Sequence, residues 1–116
     1  MQDESTGPFL PLDLTQAARE FAAEVGGTAE RKKKPIPSPP GLQMFFLYIR
    51  AQGYVPPHHV PEPITVQTIL GEARFSAQGQ SYALPQGSVV FLAADVPHEL
   101  SASTESVLLV TRALRD

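Results

Sequence analysis

The chain contains no cysteine, which excludes disulfides, thiolate metal ligands, iron–sulfur clusters and a cysteine nucleophile. It also lacks a long apolar run, and it opens on the polar and acidic residues Met1, Gln2, Asp3 and Glu4, so neither a signal peptide nor a membrane span is expected. A cytoplasmic protein with no membrane partner is the resulting expectation. No Gly-rich phosphate loop, no Gly-x-Ser-x-Gly elbow and no repeat of fixed period occurs, which removes support for nucleotide chemistry, triad hydrolysis and solenoid folds. Positive charge is not in excess either. The net charge of −3 disfavours nucleic acid as a partner, and the one basic run, Arg31, Lys32, Lys33 and Lys34, reads as a solvated strand or loop.

What remains is a chain of 116 residues with 42% hydrophobic content, enough for one domain with its own core and too short for two. Residues Leu14, Ala17, Ala18, Phe21, Ala22 and Val25 recur at helical spacing, with Arg19, Glu20 and Glu24 on the opposite face. This predicts one amphipathic helix over residues 13–26 after a tail at 1–12. Asp13 is placed to cap it, Gln16 to answer as in a capping box, and Gly26-Gly27 to stop it. Residues 27–41 turn basic and then proline-rich, as a connector or edge strand would.

From residue 42 to 112 the pattern is of short strands: Leu42 to Arg50, Ile64 to Leu70, Ala73 to Ala77, Ser81 to Leu84, Ser88 to Leu92, His98 to Ala102 and Ser106 to Arg112. Tight separators such as Gly71-Glu72, Gln78-Gly79-Gln80 and Pro85-Gln86-Gly87 suit hairpins, and no helix intervenes, so an antiparallel sandwich or barrel is expected. Several strands, Val107 to Val110 among them, are apolar on both faces. One face would fill a barrel and the other would meet the helix, a second sheet or another subunit, and a homodimer is expected to cover what is left open. The three histidines, His58, His59 and His98, fall in a Pro-Pro-His-His turn and a Val-Pro-His turn at the two ends of this region. Neutral imidazole is a frequent metal ligand and proton carrier, so strands that bring such turns together suggest a site.

The run Gly71-Glu72-Ala73-Arg74-Phe75, then Gly79, then Leu84-Pro85-Gln86-Gly87-Ser88-Val89-Val90-Phe91-Leu92, then Asp95-Val96-Pro97-His98-Glu99-Leu100, resembles the core of the cupin superfamily, in particular its small stand-alone members. The resemblance spans about residues 42–109 and implies an all-β fold, an antiparallel jelly-roll β-barrel with the one N-terminal α-helix outside it. It aligns Gly53, His58 and Gly71 with the first cupin motif, and Gly87 and His98 with the second. Val60 then stands where a second histidine is usual and Ile64 where a glutamate is usual; Ala93, Asp95 and Ala102 replace a proline, a glycine and an asparagine. The resemblance implies either one divalent transition metal (iron, manganese, nickel, copper or zinc) or none.

If a metal is held, His58 and His98 supply two nitrogens, and a third ligand has to come from His59, Glu62 or Gln67. Alternation along an extended segment turns His59 away from His58, and Gln67 away from the Ile64 side. Met44, Phe46, Tyr48, Val66, Thr68, Phe91 and Leu109 are taken as the lining of a small-molecule pocket, with Tyr48, Tyr54 and Tyr82 as polar anchors; a slip of one residue would exchange the lining for its neighbours. Two readings follow. One is a small-molecule-binding cupin with an incomplete His metal site and oxygenase- or isomerase-like chemistry; the other is a metal-free, non-catalytic ligand-binding or sensing module.

Overall fold

The computed structural model describes residues 9–114. Most of the expected tail, residues 1–8, lies outside the described residues. Helix α1 runs Leu14–Val25. Asp13 Oδ1 accepts the Gln16 backbone N–H at 3.0 Å, which satisfies one of the free donors of the first turn. Gln16 does not answer as a capping box: its side-chain amide donates to Glu20 Oε2 at 3.0 Å, one turn on. Gly26 adopts the left-handed conformation at φ 56° and returns its N–H to the Ala22 carbonyl, ending the helix.

Nine strands follow: β1 Arg31–Ile36, β2 Leu42–Ile49, β3 Tyr54–His58, β4 Ile64–Leu70, β5 Glu72–Ala77, β6 Gln80–Pro85, β7 Val89–Leu92, β8 His98–Ala102 and β9 Ser106–Ala113. They form two antiparallel sheets, ordered β1-β2-β9-β4-β7 and β3-β8-β5-β6, in the double-sheet jelly-roll manner. The basic run is therefore strand β1, at an open edge. Pro56-Pro57, expected in a turn, lies inside β3 instead. Prolines are tolerated there because β3 is an edge strand with only β8 as neighbour, and a register shift between Val55 and His58 takes up the lost ladder bonds.

The doubly apolar strands serve two cores. On β2, Leu47 and Ile49 face the space between the sheets, with Phe45 at its margin, whereas Met44, Phe46 and Tyr48 face α1. On β9, Leu108 and Val110 point inward and Val107 and Leu109 meet the helix. Alternation at period two explains this division. Phe21 of α1 stacks on Phe46 at 6.3 Å between centroids and meets Tyr48 edge-on at 6.4 Å. A register shift between Thr68 and Leu70 lets both Ile69 and Leu70 reach this outer core.

Gly71, between β4 and β5, has φ +84°, and a Cβ there would lie 2.3 Å from the Glu105 carbonyl oxygen and 2.4 Å from Ser106 Oγ. Only glycine fits both the conformation and the approach. The adjoining corner is tied by Ser106 Oγ, which accepts the Glu72 backbone N–H at 3.0 Å and donates to the Thr104 carbonyl at 2.8 Å.

Candidate functional site

His58 closes β3 and His98 opens β8, and the two residues are direct cross-strand partners. Their rings lie 4.3 Å apart between centroids and are tilted by 52°. The loops that carry them are joined by one further bond: Asp95, at φ 64° in the β7–β8 turn, donates its N–H to the Val60 carbonyl at 2.8 Å. His98 is 3% exposed and stacks on Phe75 at 6.0 Å, whereas His58 is open to solvent.

Each imidazole places Nδ1 against the backbone carbonyl two residues before it, Pro56 at 3.1 Å for His58 and Val96 at 3.0 Å for His98. A carbonyl only accepts, so Nδ1 carries the proton in both rings and donates it. In a neutral ring so tautomerised, Nε2 is the atom that keeps the lone pair. Burial lowers the pKa of His98 from its ordinary value of 6.5; the bond to Val96 opposes this and the neighbouring His58 adds to it. His98 is thus a neutral acceptor at neutral pH.

Beside the pair, a cavity of about 540 Å³ opens between the sheets. That volume falls within the span of about 300–1,000 Å³ usual for small-molecule sites. Its walls are aliphatic and aromatic: Phe45, Leu47, Val55, Val66, Leu100 and Val110. Its rim is cationic, with Arg31, Lys32, Lys33 and Arg112. Register explains why. Arg31 pairs with Ile49 and Lys33 with Leu47, so both stand on the inward face of their sheet, and Arg112 pairs with Ile64 on the same face. Lys33 Nζ lies 5.0 Å from the centre of the Phe45 ring, and Arg31 reaches across from the first sheet to donate to the Tyr54 carbonyl of the second at 2.7 Å.

The remaining sequence-selected residues are distributed differently. His59 is exposed and lies off the cavity wall. Glu62 is held by Arg112, whose Nε donates to Oε1 at 3.1 Å and whose Nη2 bonds the same oxygen, while Nη1 donates to Gln43 Oε1 at 2.8 Å. Gln67 pairs in register with Leu109 on the helix side of the sheet. Of the seven lining residues chosen from sequence, Val66 alone lines the cavity. Met44, Phe46 and Tyr48 are one residue out of register with it and pack under α1, where Leu109 also lies. Thr68 faces inward but is buried beyond the cavity, its hydroxyl donating to the Leu84 carbonyl at 3.0 Å. Phe91 is 76% exposed on edge strand β7.

The tyrosines are tied elsewhere. Buried Tyr48 donates to Glu105 Oε2 at 2.6 Å, and burial together with that carboxylate raises its pKa. Tyr54 donates to Glu99 Oε2 at 2.7 Å, and Tyr82 bonds Gln80. The residues that do form the wall and rim, Phe45, Leu47, Leu100, Val110, Arg31, Lys33 and Arg112, carry one legible signal: Arg112 shares its parity with Leu108 and Val110 at the end of an apolar strand. Which parity faces inward is fixed only by pairing with the other sheet.

The donor set does not fit a resident metal. Among the described residues no three of His, Cys, Asp and Glu group together as a metal site would require. Val60 and Ile64 bring aliphatic groups to the cavity where the motif would bring nitrogen and oxygen. Glu62 is engaged by a guanidinium, and the cationic rim opposes a second positive ion.

The fold and this pocket define a cupin-type jelly roll with a cavity between its sheets. The chain belongs to the family of AraC-like ligand-binding domains, whose model matches residues 40–112. No curated protein matches it in sequence. Among solved structures, a cupin superfamily protein of Desulfitobacterium hafniense superimposes with a TM-score of 0.68 at 13% identity, over 73% of this chain and 78% of that one. An RmlC-like cupin from Desulfovibrio desulfuricans gives 0.66 at 17% identity over 97% and 96%. The salicylate 1,2-dioxygenase of Pseudaminobacter salicylatoxidans gives 0.73 at 16% identity, over 90% of this chain and 34% of the enzyme. At such identities these likenesses show the fold.

Proposed function

We propose that this domain is a ligand-binding module that holds a small organic molecule between its two sheets without a resident metal. The observation that carries the reading is the cavity of about 540 Å³, apolar on its walls and furnished with a few placed polar groups, including the His58–His98 pair. The proton-bearing Nδ1 atoms are occupied by backbone, and burial keeps His98 neutral, so its Nε2 is available to accept a hydrogen bond from a ligand hydroxyl or amine. The matching family, described as ligand-binding, supports the same reading. Nucleic acid is not part of it, because the basic run does not present one face: Arg31 and Lys33 turn toward the cavity, while Lys34 pairs with Glu24 of α1 at 3.0 Å. We take the domain to be a homodimer, given its open sheet edges and the exposed Phe91; a monomer in sedimentation at micromolar concentration would overturn that element.

A fragment screen by ligand-observed NMR, run on the wild type and on a folded Val66→Phe variant that fills the cavity, tests the reading. Fragments that bind the wild type and not the variant are expected. Equal binding to both, or no binding to either, would refute it. Metal analysis with titration of iron, manganese, nickel, copper and zinc tests the other half: stoichiometric metal retained by the wild type and lost in His98→Ala would contradict a metal-free site.

A further inference from the structure

We infer that the ligand is an amphipathic organic anion, with an apolar body between the sheets and a single carboxylate head at the mouth beside Arg31 and Lys33. This deepens the cavity reading above and rests on it. Four cationic residues line the cavity and no acidic residue does, and of the three on β1 the register turns Arg31 and Lys33 inward, although the chain as a whole is acidic at −3. The ion pairs among the described residues are Lys34–Glu24 and Arg112–Glu62, which leaves Arg31, Lys32 and Lys33 unmatched.

The unmatched charges are placed at the opening. β1 and β3 are each an edge strand of their sheet, and Arg31 bridges them by donating to the Tyr54 carbonyl, so its guanidinium stands across the gap. Lys33 lies over Phe45, whose ring is part of the apolar wall, which sets an ammonium directly against the surface that would take a ligand's hydrocarbon. Cations gathered on one surface repel one another, and their field against low-dielectric walls is relieved by an anion seated there. A neutral polar ligand would leave that field uncompensated. A dication would add to it. A molecule with charge throughout would have to desolvate against Leu47, Val66, Leu100 and Val110, so the charge belongs at one end.

The test uses the full chain and a set of matched probes: straight-chain carboxylates of increasing length and 4-phenylbutyrate, each beside its own primary amide, titrated by calorimetry at low and high salt. A carboxylate is expected to bind about tenfold or more tighter than its amide at low salt, in line with charge-assisted contacts, and to lose that margin at high salt. In the double variant Arg31→Gln, Lys33→Gln the carboxylate is expected to fall to the affinity of the amide, while amide binding is retained. Equal binding of carboxylate and amide to the wild type would overturn the anion assignment and leave the cavity reading standing. Persistence of the carboxylate preference in the double variant would overturn the role of Arg31 and Lys33. Binding of neither probe type at any length would overturn both the anion and the cavity.

Discussion

His98 couples the candidate site to pH through its burial. Its pKa is lowered in the folded chain from an ordinary 6.5, so the unfolded chain takes up the proton first as pH falls. This contribution to stability is complete above about pH 6.5, declines below it, and is exhausted once pH drops beneath the lowered folded value. Urea unfolding between about pH 7.5 and about pH 5 should therefore show a fall in stability that His98→Gln reduces. An unchanged pH slope in the variant would contradict the assignment. Gly71 makes a second residue-scale prediction: Gly71→Ala forces a Cβ against the Glu105 carbonyl at a positive φ, and a loss of about 1–3 kcal/mol or more is expected in the same assay. The glycine was legible as a motif position. The reason for it was not, since the approach of Glu105 and Ser106 is a contact between residues distant in the chain.

At the scale of elements, α1 holds the outer core closed by burying Ala18, Phe21 and Val25 against the β2, β4 and β9 face. Removing the ring in Phe21→Ala should cost about 3–5 kcal/mol, as for other fully buried aromatics, and lower the melting temperature without abolishing ligand binding in the folded fraction. Loss of binding with stability intact would show that the helix does more than cover the sheet. Most strands were readable because hairpin separators and β-branched runs are local signals. β3 was not, because its two prolines argue against a strand unless the edge position and the bulge are already known. The face of β2 that lines the cavity is illegible for a related reason. Phe45, Phe46, Leu47 and Tyr48 are all large and apolar, so nothing local says which parity faces the cavity; pairing with β9 and the position of α1 decide it.

For the whole molecule, the account comes down to two apolar compartments made by one pair of doubly apolar strands. The outer compartment is closed by the helix. The inner one remains open at one end, where edge strands β1 and β3, a histidine pair and the unmatched cations of β1 meet. The His58–His98 pairing was legible as two motif positions in sequence, while the cationic rim was not, because Arg31 and Lys33 lie far from Arg112 in the chain and in a run that reads as solvent-facing. Backbone amide NMR during titration with the carboxylate probes tests this arrangement most directly. Saturable shifts at Leu47, Val66, Leu100 and Val110, with Ala18 and Phe21 undisturbed, are the predicted result. Absence of saturable shifts, or shifts confined to the helix side, would contradict it.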